Sequence, residues 1–136
     1  MAGKWLFKSD PEHYSYQDLA RDRQTVWDGV SNNLALKNLR NVRRGDEVMI
    51  YHSGSERAIV GLAKVLSDPY ADPKSKDARL MVVEIAARGT VPRPVGLDEI
   101  KKQPGLRDFD LVRLPRLSVM PLSEKQWEAI LALAKH

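Results

Sequence analysis

The sequence predicts an α+β fold, a compact mixed β barrel or sheet with short helices at its periphery. Three observations predict it. Four or five apolar runs of strand length are separated by turn signals rich in Gly, Pro and Asp. The helical patterns between them are short. No internal repeat, low-complexity tract or boundary divides the chain, so its 136 residues read as one domain, 1–136.

Lys4-Trp5-Leu6-Phe7-Lys8 reads as the first strand. Ser9-Asp10-Pro11 stops it, because Pro11 biases Asp10 to extended angles and cannot donate a ladder bond. Ser15 then caps a short helix, with Asp18 three residues on and Tyr14 and Leu19 placed as a hydrophobic staple. Tyr14 is equally a candidate for a ligand contact. Residues 21–25 are polar and read as a connection. In residues 27–39, a ring beside Asp28 and Gly29 leads through Ser31, Asn32 and Asn33, all N-cap candidates, into a helix. Leu36, Leu39 and Val42 mark its apolar face. Such a helix start offers free N–H groups and a positive dipole end to an anionic or hydrogen-bond-accepting ligand. The competing reading is a core tryptophan followed by an ordinary capped helix.

Arg43-Arg44-Gly45-Asp46 is a turn, and residues 46–53 alternate as a half-buried strand. Residues 58–66 form a second apolar strand, where Gly61 suggests a bulge or a close backbone approach. Residues 68–77 carry Pro69 and Pro73 and read as a long exposed loop. Residues 79–87 are a third strand, and Pro92 and Pro94 make 90–96 a connector. A short helix at 97–102 ends at Pro104-Gly105, residues 106–116 read as irregular with one helical turn, and 117–121 form a last short strand. In the final helix Ser123 is the N-cap, Gln126 completes a capping box, and Leu122 staples to Trp127. Trp127, Ile130, Leu131 and Ala134 give it a core-facing stripe.

Composition narrows the function. A hydrophobic fraction of 43% supplies a core. No apolar run reaches the roughly 20 residues of a membrane span, and Met1-Ala2-Gly3-Lys4-Trp5 carries no signal or myristoylation pattern. The absence of cysteine removes disulfides, thiol catalysis and thiolate metal sites, and fits a cytoplasmic protein. A net charge of +4 permits a polyanionic partner. His13, His52 and His136 are too scattered for a metal site, and no phosphate loop, dinucleotide fingerprint or nucleophile elbow is present. Lys8 and Ser9, adjacent in a strand, point to opposite faces, which argues against a serine–lysine nucleophile.

A binding pocket is better supported. Lys8-Ser9-Asp10-Pro11 ends one strand, Trp27-Asp28-Gly29-Val30 precedes a helix, and Tyr51-His52-Ser53 ends another strand. If they converge, they combine flat rings with short polar side chains and backbone donors, which an extruded base or other planar heterocycle requires. If they do not, Trp5, Trp27 and Tyr51 simply fill the core.

These residues resemble the EVE domain. The likeness runs from Trp5-Leu6-Phe7-Lys8-Ser9-Asp10-Pro11 with Tyr14-Ser15, through Trp27-Asp28-Gly29-Val30 with Asn32, Ala35 and Asn38-Leu39-Arg40, to Tyr51-His52-Ser53. It continues through Ile59-Val60-Gly61-Leu62, Tyr70-Ala71-Asp72-Pro73 and Arg116-Leu117-Ser118-Val119-Met120-Pro121, and so covers nearly the whole chain as a short stand-alone member. The resemblance implies a PUA-like mixed β pseudobarrel with peripheral short helices. It implies a non-catalytic nucleic-acid-binding domain that reads a modified cytosine or adenine, in DNA or RNA, in an aromatic pocket. By position, Trp27 would wall the pocket, and Ser9, Asp10 and Pro11 would form its rim. Asn32 and the backbone of Gly29 and Val30 would read the base edge, Tyr51, His52 and Ser53 would close the far side, and Ser118 would approach from the last strand. Lys8, Lys37, Arg40 and Arg116 are the implied phosphate contacts. The sequence departs from the family pattern after Val30, where Ser31-Asn32-Asn33-Leu34-Ala35-Leu36 stands for Arg-Asn-Tyr-Gln-Ala-Arg, and Asp10 stands where Glu is common. The expectation is a monomer with no cofactor, no metal and no membrane contact. The alternatives are an ASCH-like enzyme using Asp10, Lys8 or His52 as acid or base, and a small-molecule sensor.

Overall fold

The structure is a computed structural model and describes residues 3–135. Met1, Ala2 and His136 lie outside the described residues, and with them the readings made of the first residues and of the third histidine. The elements run β1 (Lys4–Ser9), α1 (Tyr16–Asp22), β2 (Gln24–Trp27), α2 (Asn33–Leu39), β3 (Glu47–His52), β4 (Ala58–Val65), β5 (Tyr70–Ala71), β6 (Met81–Gly96), α3 (Leu97–Lys102), α4 (Asp110–Arg113), β7 (Val119–Leu122) and α5 (Glu124–Ala134).

The strands form one mixed sheet in the order β2-β6-β4-β3-β1-β7, with β5 paired to β6. Among the described residues only β1 and β3 run parallel. The sheet curls: α2 packs against both β6 and β7, and Asn38 Nδ2 donates to the Val119 carbonyl at 2.8 Å. The two ends of the strand path, β2 and β7, therefore face one another across an open seam, which makes a pseudobarrel. One core runs through it, with Leu6, Phe7, Ile50, Ile59 and Ile85 at its centre.

Local chemistry places the caps where the sequence puts them. Ser15 accepts from the Asp18 N–H and Asp18 accepts from the Ser15 N–H, a complete capping box. Ser123 and Gln126 do the same for α5, and Trp127 is buried. Asp46, in a turn, is buried because its carboxylate accepts from Gly3 N–H, Arg43 N–H and Trp5 Nε1, all at 2.8 Å. Gly61 has both expected features. The β4 pairing shifts register beside it, and the ring of Tyr16 lies against its Cα.

Four expectations are corrected. Residues 24–27 form β2, paired with residues 83–86, where the sequence reads a polar connection as far as residue 25. Polar residues are tolerated there because β2 is an edge strand with one solvated face. The third strand continues through the expected connector, to Gly96. Pro92 and Pro94 survive in it because the ladder to β4 is interrupted between the Thr90 and Val95 pairings, so no N–H is demanded of them. Two residues of the long loop, Tyr70 and Ala71, pair with β6 as β5. β3 is not half-buried: residues 48–52 are all buried, because the strand is central and covered on both faces.

Candidate nucleic-acid interface

A cavity of about 730 Å³ opens at the seam. Its wall takes Lys8, Ser9 and Asp10 from the end of β1, Thr25, Val26 and Trp27 from β2, and Asp28, Gly29 and Val30 from the following loop. His13, Tyr14, Lys74 and Ser118 complete it. The volume falls in the ordinary range of ligand pockets.

Trp27 is buried to 8% exposure yet borders the cavity. Phe7 backs it at 5.6 Å between ring centroids, and Tyr14 meets it edge-on at 6.4 Å. Tyr14 is itself anchored, its hydroxyl donating to Asp22 at 2.9 Å, and burial pushes its phenol above the usual value. The indole is thus held rigidly from two sides, which suits a stacking surface. Gly29 has φ +78°, a conformation that favours glycine. Among the described residues, the N–H groups of Gly29 and Val30 have no hydrogen-bond partner.

Ser9 Oγ donates to the Tyr14 carbonyl, which leaves the hydroxyl only its lone pairs for a ligand. Lys8 Nζ donates to the Pro115 carbonyl at 2.6 Å and lies 5.7 Å from the Tyr51 ring centroid. Burial pushes its ammonium below the usual value. Lys8 and Ser9 both border the cavity at the end of β1. Their polar atoms have different partners and do not form a dyad.

The remaining site expectations lie elsewhere. Pro11, Asn32, Tyr51, His52 and Ser53 do not line the cavity. Asn32 is the N-cap of α2, its side chain accepting from Leu34 and Ala35 N–H. That occupies the helix start the sequence offered to a ligand, and α2 has only seven residues. His52 is buried, Nε2 accepting from the Tyr16 N–H at 2.9 Å and Nδ1 donating to Glu56 at 2.8 Å, so it fixes α1 to β3. Tyr51 is buried in the core. Ser53 donates its N–H to the Ser9 carbonyl and so sets the end of β1. Lys37, Arg40 and Arg116 are exposed and do not line the cavity, and Arg40 donates to the Arg79 carbonyl. The sequence reading missed Thr25, Val26, His13 and Lys74 as wall residues. For the first two the signal was present, since Thr25-Val26-Trp27 are all strand formers. Among the described residues, no group of His, Asp or Glu could hold a metal ion, and no helix is long and apolar enough to cross a membrane.

A curled mixed sheet with peripheral helices and a cavity at its seam defines a PUA-like domain. The sequence profile of the EVE domain matches residues 3–133. The chain belongs to the EVE domain family. It is 33% identical to rat (Rattus norvegicus) thymocyte nuclear protein 1, over 98% of this chain and 74% of that protein. A solution structure from Rhodopseudomonas palustris matches with a TM-score of 0.93 at 31% identity, covering 98% of this chain and 94% of the other. Human THYN1, solved in complex with 5-methylcytosine-containing DNA, matches with a TM-score of 0.90 at 28% identity over 99% of each chain.

Proposed function

We propose that this protein binds nucleic acid without catalysing a reaction and reads one modified base, extruded into the seam cavity. The carrying observation is the cavity itself, with an indole packed between Phe7 and Tyr14 in its wall and the unpartnered Gly29 and Val30 N–H groups on residues that line it. The complex of human THYN1 with 5-methylcytosine-containing DNA supports the ligand class and makes 5-methylcytosine the first base to test. Trp27 stacks on the base, a contact worth about 1–3 kcal/mol. The Gly29 and Val30 N–H groups meet acceptors on its edge, and the Ser9 hydroxyl meets a donor. Losing one such bond costs about 1–3 kcal/mol. Asp10 lies at the rim, and Lys8 supplies a cation for a flanking phosphate.

The test is a fluorescence titration with matched DNA and RNA oligonucleotides carrying cytosine, 5-methylcytosine, 5-hydroxymethylcytosine, adenine or N6-methyladenine. Tighter binding of one modified base, lost in Trp27→Ala, is the expected result. Equal weak binding of all, unchanged in Trp27→Ala, reduces the protein to a basic surface. The half-buried Lys8 amine at the wall favours an enzyme as the second reading. Turnover of modified nucleosides, abolished in Lys8→Met, would replace the reader with that enzyme.

A further inference from the structure

β2 has a second concavity at its other end. A cavity of about 430 Å³ is bordered by Arg23 and Gln24 at the start of β2, by Tyr16 of α1, and by Ala87, Arg88 and Gly89 of β6. Two backbone irregularities meet there. Arg23 has φ +70°, an uncommon conformation for any residue but glycine. It is fixed by its own N–H donating to the Leu19 carbonyl at 2.7 Å and its carbonyl accepting from Ala87 N–H at 2.9 Å. Arg88 sits in a β-bulge: Leu62 pairs with Gly89 and Ala63 with Ala87, so Arg88 has no opposite residue. The bulge is pinned by Tyr16, whose hydroxyl accepts from Gly89 N–H at 2.9 Å and donates to the Leu62 carbonyl at 2.6 Å.

Both irregularities set an arginine at the edge of one cavity, and strained backbone and bulges concentrate at functional sites. Among the described residues neither guanidinium has a carboxylate partner, whereas Arg21, Arg79, Arg93 and Arg113 are all ion-paired. The nearest acid in sequence, Asp22, is taken by Arg21 and Tyr14. Two arginines without a carboxylate partner border one concave surface, and the guanidinium fork matches a phosphate or other oxyanion. The four steps of chain from Arg23 to Trp27 span about 13 Å at ~3.3 Å per residue. That is a few nucleotides along a strand with ~3.4 Å of axial rise per phosphate.

We propose that Arg23 and Arg88 form a second anion site that holds a backbone phosphodiester a few nucleotides from the base in the seam cavity; the identity of the ligand rests on the nucleic-acid reading above. The test is the salt dependence of oligonucleotide binding by Arg23→Gln/Arg88→Gln, with Arg113→Gln as a charge control and a thermal melt to confirm folding. The double variant is expected to weaken binding of modified and unmodified strands alike, leaving their ratio unchanged. The slope of log K against log salt should shrink by about 1.4 for a single strand and 1.8 for a duplex, while the control keeps the wild-type slope. An unchanged affinity and slope would overturn the proposal, as would a change equal to that of Arg113→Gln. A wild-type protein with no base preference, whose slope still shrinks in the double variant, would refute base reading and keep the anion site. A wild-type protein that binds no oligonucleotide would overturn both.

Discussion

Gly61→Ala tests how tightly the fold is packed at Tyr16, beside the second cavity. A Cβ at position 61 would lie 2.3 Å from Tyr16 Cε1 and 2.5 Å from Cδ1 and Cζ, against the 3.4 Å at which ordinary contact begins. The ring must therefore retreat by about 1 Å. It has nowhere to go, being buried to 2% exposure with its hydroxyl bonded to Leu62 and Gly89. Overpacking of this kind costs about 1–3 kcal/mol, and each tyrosine hydrogen bond that stretches adds about 0.5–1.5. The reduced freedom of the unfolded chain returns less than about 1 kcal/mol. The net is a destabilisation of about 3 kcal/mol, or roughly 10 °C in Tm for a domain of this size. Circular dichroism during heating and in urea reads it directly. In a Tyr16→Ala background the same substitution should cost far less, because the clash is gone. A Gly61→Ala protein melting within about 2 °C of wild type would refute the reasoning.

Other consequences follow from the same contacts. Asp46→Ala removes the acceptor of three N–H groups, including the buried Trp5 indole, and should cost about 3 kcal/mol or more by urea denaturation. Ser123→Ala breaks the α5 capping box and should cost about 1 kcal/mol in the same assay. The Arg93 guanidinium holds the Glu99 carboxyl below its ordinary 4.5. A lowered carboxyl pKa stabilises the fold above the unfolded value and loses that contribution as pH falls through the folded value. Wild type should thus weaken more steeply below about pH 4.5 than Glu99→Gln, read as urea midpoints from pH 6 to 3.

What was legible in the sequence was mostly local. The two capping boxes, the first strand and the last helix depend on residues a few positions apart, and the structure has them, with the first strand running one residue further, to Ser9. β2 and the long β6 were not legible, because their partners supply the reason. Residues 24–27 look like a linker until residues 83–86 give them an edge to pair with, and Pro92 and Pro94 look like breakers until the register shift removes the need for their N–H. The seam cavity was half legible. Ser9 and Trp27 to Val30 stand at strand ends in the sequence, but Lys74 reaches the cavity from a distant loop. His52 shows the opposite case, a residue with a site-like sequence that is consumed by Tyr16 N–H and Glu56.

The central claim, that the seam at Trp27 takes the modified base, is tested most directly by backbone and indole NMR shifts on adding a 5-methylcytosine DNA strand. Shifts centred on the Trp27 indole N–H and the Gly29 and Val30 amides, with Trp127 unmoved, are the predicted result. Shifts centred on α5 with the Trp27 indole silent would contradict the account.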